Sequence, residues 1–150
     1  MIWLPPLHRP AYAFDKNRLQ YNVGSILQRL ESSPVKEVDK MVCVLNVDLF
    51  VPIFTHVFGE ARQGGRVALV SLYRLGKDSD DLKRPSAGLL ERTAKVALHE
   101  LCHLYNLTHC ENQACLMHFS GSLEDLDKTP LVFCRYCLSF FKSVIGRQTR

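Results

Sequence analysis

Residues 99–110 read HELCHLYNLTHC and gather three histidines, a glutamate and two cysteines in one short stretch. On a helix turning about 100° per residue, His99 and His103 lie one turn apart on the same face, where two imidazoles can reach one metal ion. Glu100 sits beside them. It does not easily share that coordination geometry, but it can accept a proton from a metal-bound water, the general-base role in zinc peptidases. Taken alone, this pattern also describes two solvated histidines on a surface helix. His109 changes the reading. Were the helix to continue, His109 would stand roughly 9 Å beyond His103 and off its face, because the rise is about 1.5 Å per residue. The chain must therefore turn for His109 to join. Asn106 stands where that turn is needed, and after Gly it is Asn that most readily takes the left-handed conformation. Three histidines with one open position then complete a tetrahedral catalytic zinc site.

Cys110 opens a second group. Cys110 and Cys115 form a C-x4-C pair, Cys134 and Cys137 a C-x2-C pair, and Cys43 and Cys102 stand alone. Four thiolates at these spacings suit a tetrahedral structural zinc whose bonds would staple an otherwise unsupported loop. An iron–sulfur cluster takes the same ligands, and a thioredoxin-like pair at Cys134 and Cys137 is a further alternative. Haem attachment through C-x-x-C-H is excluded because Leu138 follows Cys137. With no export signal in MIWLPPLHRP, six cysteines point to metal or catalysis and away from disulfides. The expected cofactor is zinc, two ions per chain.

Several elements must position these residues. Leu19, Val23, Ile26, Leu27 and Leu30 predict an amphipathic helix over 16–31. The nearly continuous apolar run 41–51, stopped by Pro52, predicts a central strand covered on both faces. Residues 66–75 predict a second strand of less uniform pattern, suited to a sheet edge where a substrate peptide could pair. The polar run 77–86 predicts a loop, with Pro85 and Ser86 as a helix start. Leu90, Ala94, Ala97, Leu101 and Leu104 predict one helix over about 87–106 that carries the opening motif. Residues 107–133 have little periodicity, and a last helix is expected over 134–145.

The composition fits one folded domain over residues 1–150. Its formal net charge of +4 is small and dispersed, with no Lys/Arg stripe interleaved with aromatics, so nucleic acid is not an expected partner. No stretch reaches the roughly 18 apolar residues of a membrane span. The expected location is the cytoplasm and the expected state a monomer. Cys102 and Cys43 read as small buried hydrophobes, and His56 and His118 as ordinary hydrogen-bonded or solvent-facing histidines. Tyr105 and Tyr136 could stabilise an oxyanion, but packing of helices is the better reading of both.

HELCHLYNLTHC, followed by ENQACLM and then FCRYC, closely resembles the archaemetzincins. Their signature joins an HExxHxxG core and a nearby third ligand to a C-x4-C-x-M segment and a distal C-x2-C. DLFVPIFTHVFGEARQGGRVALVSLYRL is similar to that family's strand, loop and edge-strand region, so the resemblance spans most of residues 10–140.

The resemblance implies an α/β metzincin-like catalytic domain with a mixed, mostly parallel sheet and an active-site helix, acting on peptides or proteins. An N-terminal subdomain of about 1–109 would be followed by a zinc-stapled one of about 110–150. His99, His103 and His109 become catalytic zinc ligands, Glu100 the general base, and Cys110, Cys115, Cys134 and Cys137 the structural zinc ligands. Met117 becomes a hydrophobic floor beneath the catalytic zinc. A zinc-binding interaction module that keeps both sites without catalysis is the rival. Three departures stand out: Asn106 replaces the usual Gly, the gap between Met117 and Cys134 is about one residue short, and the chain starts almost at the segment resembling LPPLHRPAYAFDKNRLQY. Family members normally place a strand and helix before that segment, which implies a truncated product or a sheet missing a member.

Overall fold

The computed structural model describes residues 1–32, 35, 38–76 and 87–148, with Gln148 described by its backbone only. The expected loop at 77–86, with its Pro85–Ser86 helix start, lies outside the described residues.

Near the N-terminus, Asp15 Oδ1 accepts the backbone N–H groups of Asn17 at 2.8 Å and Arg18 at 3.0 Å, and Leu19 takes φ 55°. The chain reverses there, so two short antiparallel strands form, β1 (Phe14–Asp15) and β2 (Gln20–Asn22). Asn22 Oδ1 accepts the N–H of Ser25 at 2.9 Å, capping α1 (Val23–Ser32). The helix expected over 16–31 thus gives up residues 16–22 to side-chain capping that competes with helix.

The run MVCVLNVDLFV is two strands, β3 (Met41–Leu45) and β4 (Leu49–Phe50). With β5 (Gly59–Ala61) and β6 (Val67–Ser71) they complete two three-stranded sheets, ordered β1-β2-β4 and β3-β6-β5. Both are mixed. β2/β4 and β3/β6 are parallel, β1/β2 and β5/β6 antiparallel, so the parallel pairs do not predominate among the described residues. The expected central and edge strands exchange places. All five residues of β6 are buried, and it lies between β3 and β5, whereas β3 is a margin with Val44 55% exposed. Ser71 made β6 look less apolar, but its hydroxyl donates to Val47 O at 2.5 Å, which removes the cost of burying it. The antiparallel margin is β5, whose Gly-Glu-Ala carries almost no strand signal.

Alternation along β6 divides the core. Leu69 packs with Ile26 and Leu27 of α1, whereas Val70 packs with Val96 of α2 (Ala87–Leu104), and Ala68 with Leu104. Burying each such leucine stabilises the fold by roughly 2 kcal/mol. The stretch 107–133 contains a short helix absent from the expectation, α3 (Leu123–Lys128), whose N-terminus is capped where Asp125 N–H donates to Ser122 Oγ at 3.1 Å. It is clamped to α2: Arg92 donates twice to Asp127 at 2.7 and 2.6 Å, and the buried Lys95 donates to Leu126 O at 3.1 Å. The last helix, α4, runs Arg135–Gln148.

Gly59 lets β5 approach α2. A Cβ there would lie 2.7 Å from both Leu69 O and Val96 Cγ1 and 2.9 Å from Glu100 Cγ. Backbone on one side and helix on the other leave no direction to relax. Gly59→Ala is therefore expected to destabilise the protein by about 1–3 kcal/mol, read as a lower urea midpoint at unchanged slope.

Candidate metal centres

α2 delivers His99, Glu100 and His103, and its ending delivers His109. Asn106 takes φ 68°. Its N–H donates to His103 O at 3.0 Å and that of Leu107 to Cys102 O at 3.1 Å, the paired bonds of a Schellman stop with Asn in the left-handed position. Leu107 and Cys102 supply the apolar contact that accompanies it. Gly64 braces the turn from β5's side, its N–H donating to His103 O at 2.9 Å.

The helix now points away, and His109 folds back. One ring nitrogen from each of His99, His103 and His109 falls within 4.8 Å of the others. Their protonation follows from their partners. Carbonyls only accept, so Nδ1 of His99, 2.9 Å from Leu116 O, and Nδ1 of His103, 2.7 Å from Leu107 O, must carry the protons. Both Nε2 atoms then present lone pairs, and that of His103 stands 3.3 Å from Nε2 of His109. With its proton on Nδ1, His109 adds a third Nε2 lone pair, and three such donors suit zinc, those of His99 and His103 being oriented by carbonyls on their second nitrogens. Burial, opposed by the Leu116 bond and helped by His103 and His109, lowers the pKa of His99 to about 4. Burial also lowers His103 and His109. The set is held neutral, the form that binds metal.

Glu100 is buried, with its Cγ against Gly59. Burial, and then the charge of Glu60, raise its pKa well above the ordinary carboxyl range. Together the residues line a cleft of about 800 Å³ between the 51–61 segment and the 108–129 segment.

Cys110, Cys115, Cys134 and Cys137 also converge, their sulfurs within 4.8 Å of one another. The Cys110–Cys134 separation is 3.9 Å, against about 3.8 Å across a tetrahedral zinc with bonds of about 2.3 Å. All six cysteines are free. Cys134 N–H donates to Cys115 Sγ at 3.3 Å, and the bond from Cys137 N–H heads the causes that lower the Cys134 thiol to about 7. The two centres share a strand of chain. Cys110 follows His109, Leu116 O orients His99, and Cys110 N–H donates to Met117 O at 2.8 Å.

Other residues read for chemistry have ordinary surroundings. Met117 is fully buried beside Cys102, Leu107 and Cys115. Burial raises Cys102 to about 12, in keeping with an inert core thiol. Cys43 is half-buried beside the α1 core. His118 Nδ1 lies 3.0 Å from Cys110 O. Tyr105 packs edge-on to Phe141 of α4, whereas Tyr136 departs from the expected helix packing, being 75% exposed. Glu60 and Phe119 were missed: Glu60 sits in a strand with no apolar alternation, and Phe119 in a stretch with no periodicity.

The fold and the His-Glu helix together are those of a zinc metallopeptidase. Residues 4–143 match the family model of Peptidase family M54, and the chain belongs to that family. It is 38% identical over 135 residues to the archaemetzincin of Methanocaldococcus jannaschii, covering 90% of this chain and 73% of that one. The crystal structure of archaemetzincin from Methanopyrus kandleri superposes with a TM-score of 0.81 at 34% identity, covering 93% of this chain and 73% of that chain. That from Archaeoglobus fulgidus, complexed with malonate, gives 0.78 at 35% identity, covering 91% and 79%. No helix among the described residues is long and apolar enough to cross a membrane.

Two outcomes follow from this geometry. In the metal-free protein, His99 has a folded pKa of about 4 against an ordinary 6.5. The folded state therefore resists a proton that the unfolded chain accepts, and stability falls as pH drops from about 6.5 to about 4, by roughly 3 kcal/mol from this residue. Urea unfolding of His99→Asn, compared with the parent across that range, should show the slope reduced. Because the centres share residues 109–117, Cys115→Ser is expected to weaken zinc at the histidines at least about tenfold, measured by chelator competition with elemental analysis.

Proposed function

We propose that this chain hydrolyses peptide bonds, with zinc held by His99, His103 and His109 and with Glu100 as general base. A second, structural zinc on Cys110, Cys115, Cys134 and Cys137 makes two ions per chain. The observation that carries the reading is the convergence of two Nε2 lone pairs whose tautomers are fixed by Leu116 O and Leu107 O. Membership of Peptidase family M54 supports it.

Zinc held by these histidines would supply Lewis acidity, polarising the scissile carbonyl and lowering the pKa of water. The protein does the rest. Glu100, on the residue after His99, reaches the attacking water and takes its proton. Burial, which with Glu60 raises its pKa in the metal-free protein, suits Glu100 to hold that proton and pass it to the leaving amine. The absence of a side chain at Gly59 leaves room for the Glu100 side chain, whose Cγ lies 2.9 Å from where a Cβ would stand. The substrate backbone lies along the free margin of β5, in place of the 66–75 segment first expected, because β6 is paired on both sides.

Glu100→Gln keeps the shape and removes the base. It should retain metal at the three histidines while peptide hydrolysis falls about a thousandfold, followed by mass spectrometry of a peptide mixture. Undiminished hydrolysis would remove Glu100 from the mechanism. A parent protein that binds both zinc ions yet cleaves nothing would leave a zinc-stapled interaction module.

A further inference from the structure

The cleft is crossed by an aromatic contact that metal chemistry does not require. Phe54, on the segment before β5, stacks on Phe119 of the opposite wall, with ring centroids 6.0 Å apart and planes 26° apart. Phe119 in turn meets the His109 ring edge-on at 5.5 Å. A row of rings, His109 to Phe119 to Phe54, therefore runs from the metal centre across to the far wall. Phe54 and Phe119 belong to no core cluster, and at 44% and 49% exposure they bury too little to be explained as core.

Both supports of the bridge are fixed. On Phe54's side, Gln20 Nε2 donates to Thr55 O at 2.8 Å and to Asp48 at 3.2 Å. Asp48 is itself gripped twice by Arg74 at 2.6 Å. On Phe119's side, the neighbouring Ser120 hydroxyl pairs with Thr129 Oγ1 at 3.0 Å, and a Cβ on Gly121 would touch the Phe119 ring at 3.4 Å. Rings held this way act as a wall.

Resting on the peptidase reading above, we infer that Phe54 and Phe119 form an end stop. Phe119 touches the ring of His109, and an extended peptide advances about 3.3 Å per residue, so a chain leaving the scissile bond toward this wall meets the rings after about one or two residues. Substrates are therefore cut near one chain end, and long peptides are not threaded through. Phe54 and Phe119 are specificity-determining residues and take no part in bond breaking.

The test measures binding and does not depend on turnover. Two series of hydroxamates, which chelate zinc, are titrated calorimetrically into the zinc-loaded protein. Peptidyl hydroxamates extend to the N-terminal side of the scissile bond and succinyl hydroxamates to the C-terminal side, each from one to four residues. In one series the parent protein should lose at least tenfold in affinity beyond the second residue. Phe54→Ala, which touches no histidine of the site, should recover that loss, and Phe119→Ala should do likewise with zinc content verified. The other series should ignore both substitutions. Short and long members binding alike, or a length dependence unchanged by either substitution, overturns the end stop while leaving the peptidase reading intact. Failure of every hydroxamate to bind the zinc-loaded parent removes both.

Discussion

Everything chemical in this molecule depends on ending one helix abruptly after Leu104. A helix can present His99 and His103 side by side but cannot present His109, which would otherwise climb away along the axis. The left-handed Asn106 and the two bonds that close the turn convert that climb into a return. The same turn releases Leu107 O, which accepts from His103 Nδ1 and from Gln63 Nε2. One backbone reversal thus places the third histidine and fixes the tautomer of the second.

The cysteine cluster extends that constraint. A segment leaving a helix end with no regular structure would sample many positions, and holding it in one costs conformational entropy. Four sulfurs gathered from 110–115 and from 134–137 close this segment against the start of α4, and Met117, Cys102 and Leu107 fill the space behind. α3, clamped by Arg92 and Lys95, secures the wall that follows. The helix, the turn and the sulfur cluster are consequently one mechanical unit, with the histidines on its surface.

Much of the site was legible because its information is local. Two histidines four apart, an Asn after them and paired cysteines carry their geometry in their spacing. The sheet was less legible, because an apolar run records what could be buried and leaves open what lies beside it. Thus 41–51 looked like one central strand and is two, in separate sheets, while Ser71 disguised the strand that is central. β5 was invisible: Gly59, Glu60 and Ala61 are a strand only because β6 pairs with them and α2 needs a residue without a side chain at 59. The 16–22 segment failed for the opposite reason, since Asp15 and Asn22 carried capping signals that apolar periodicity overrode.

The close approach of Gly64 to Asn106 makes two distant positions interdependent. Gly64 also has positive φ, at 67°, and a Cβ there would lie 2.6 Å from Asn106 Oδ1. Either position alone could take Gly or, with modest strain, Asn. Asn at 106 fills the space that a side chain at 64 would need, so that a side chain at 64 requires the Asn106 amide to turn away. With Gly at 106 the space beside residue 64 opens, although the positive φ there still favours Gly or Asn. The two positions are therefore coupled across the turn, and which side chain one of them tolerates depends on the side chain at the other, although they lie far apart in the chain.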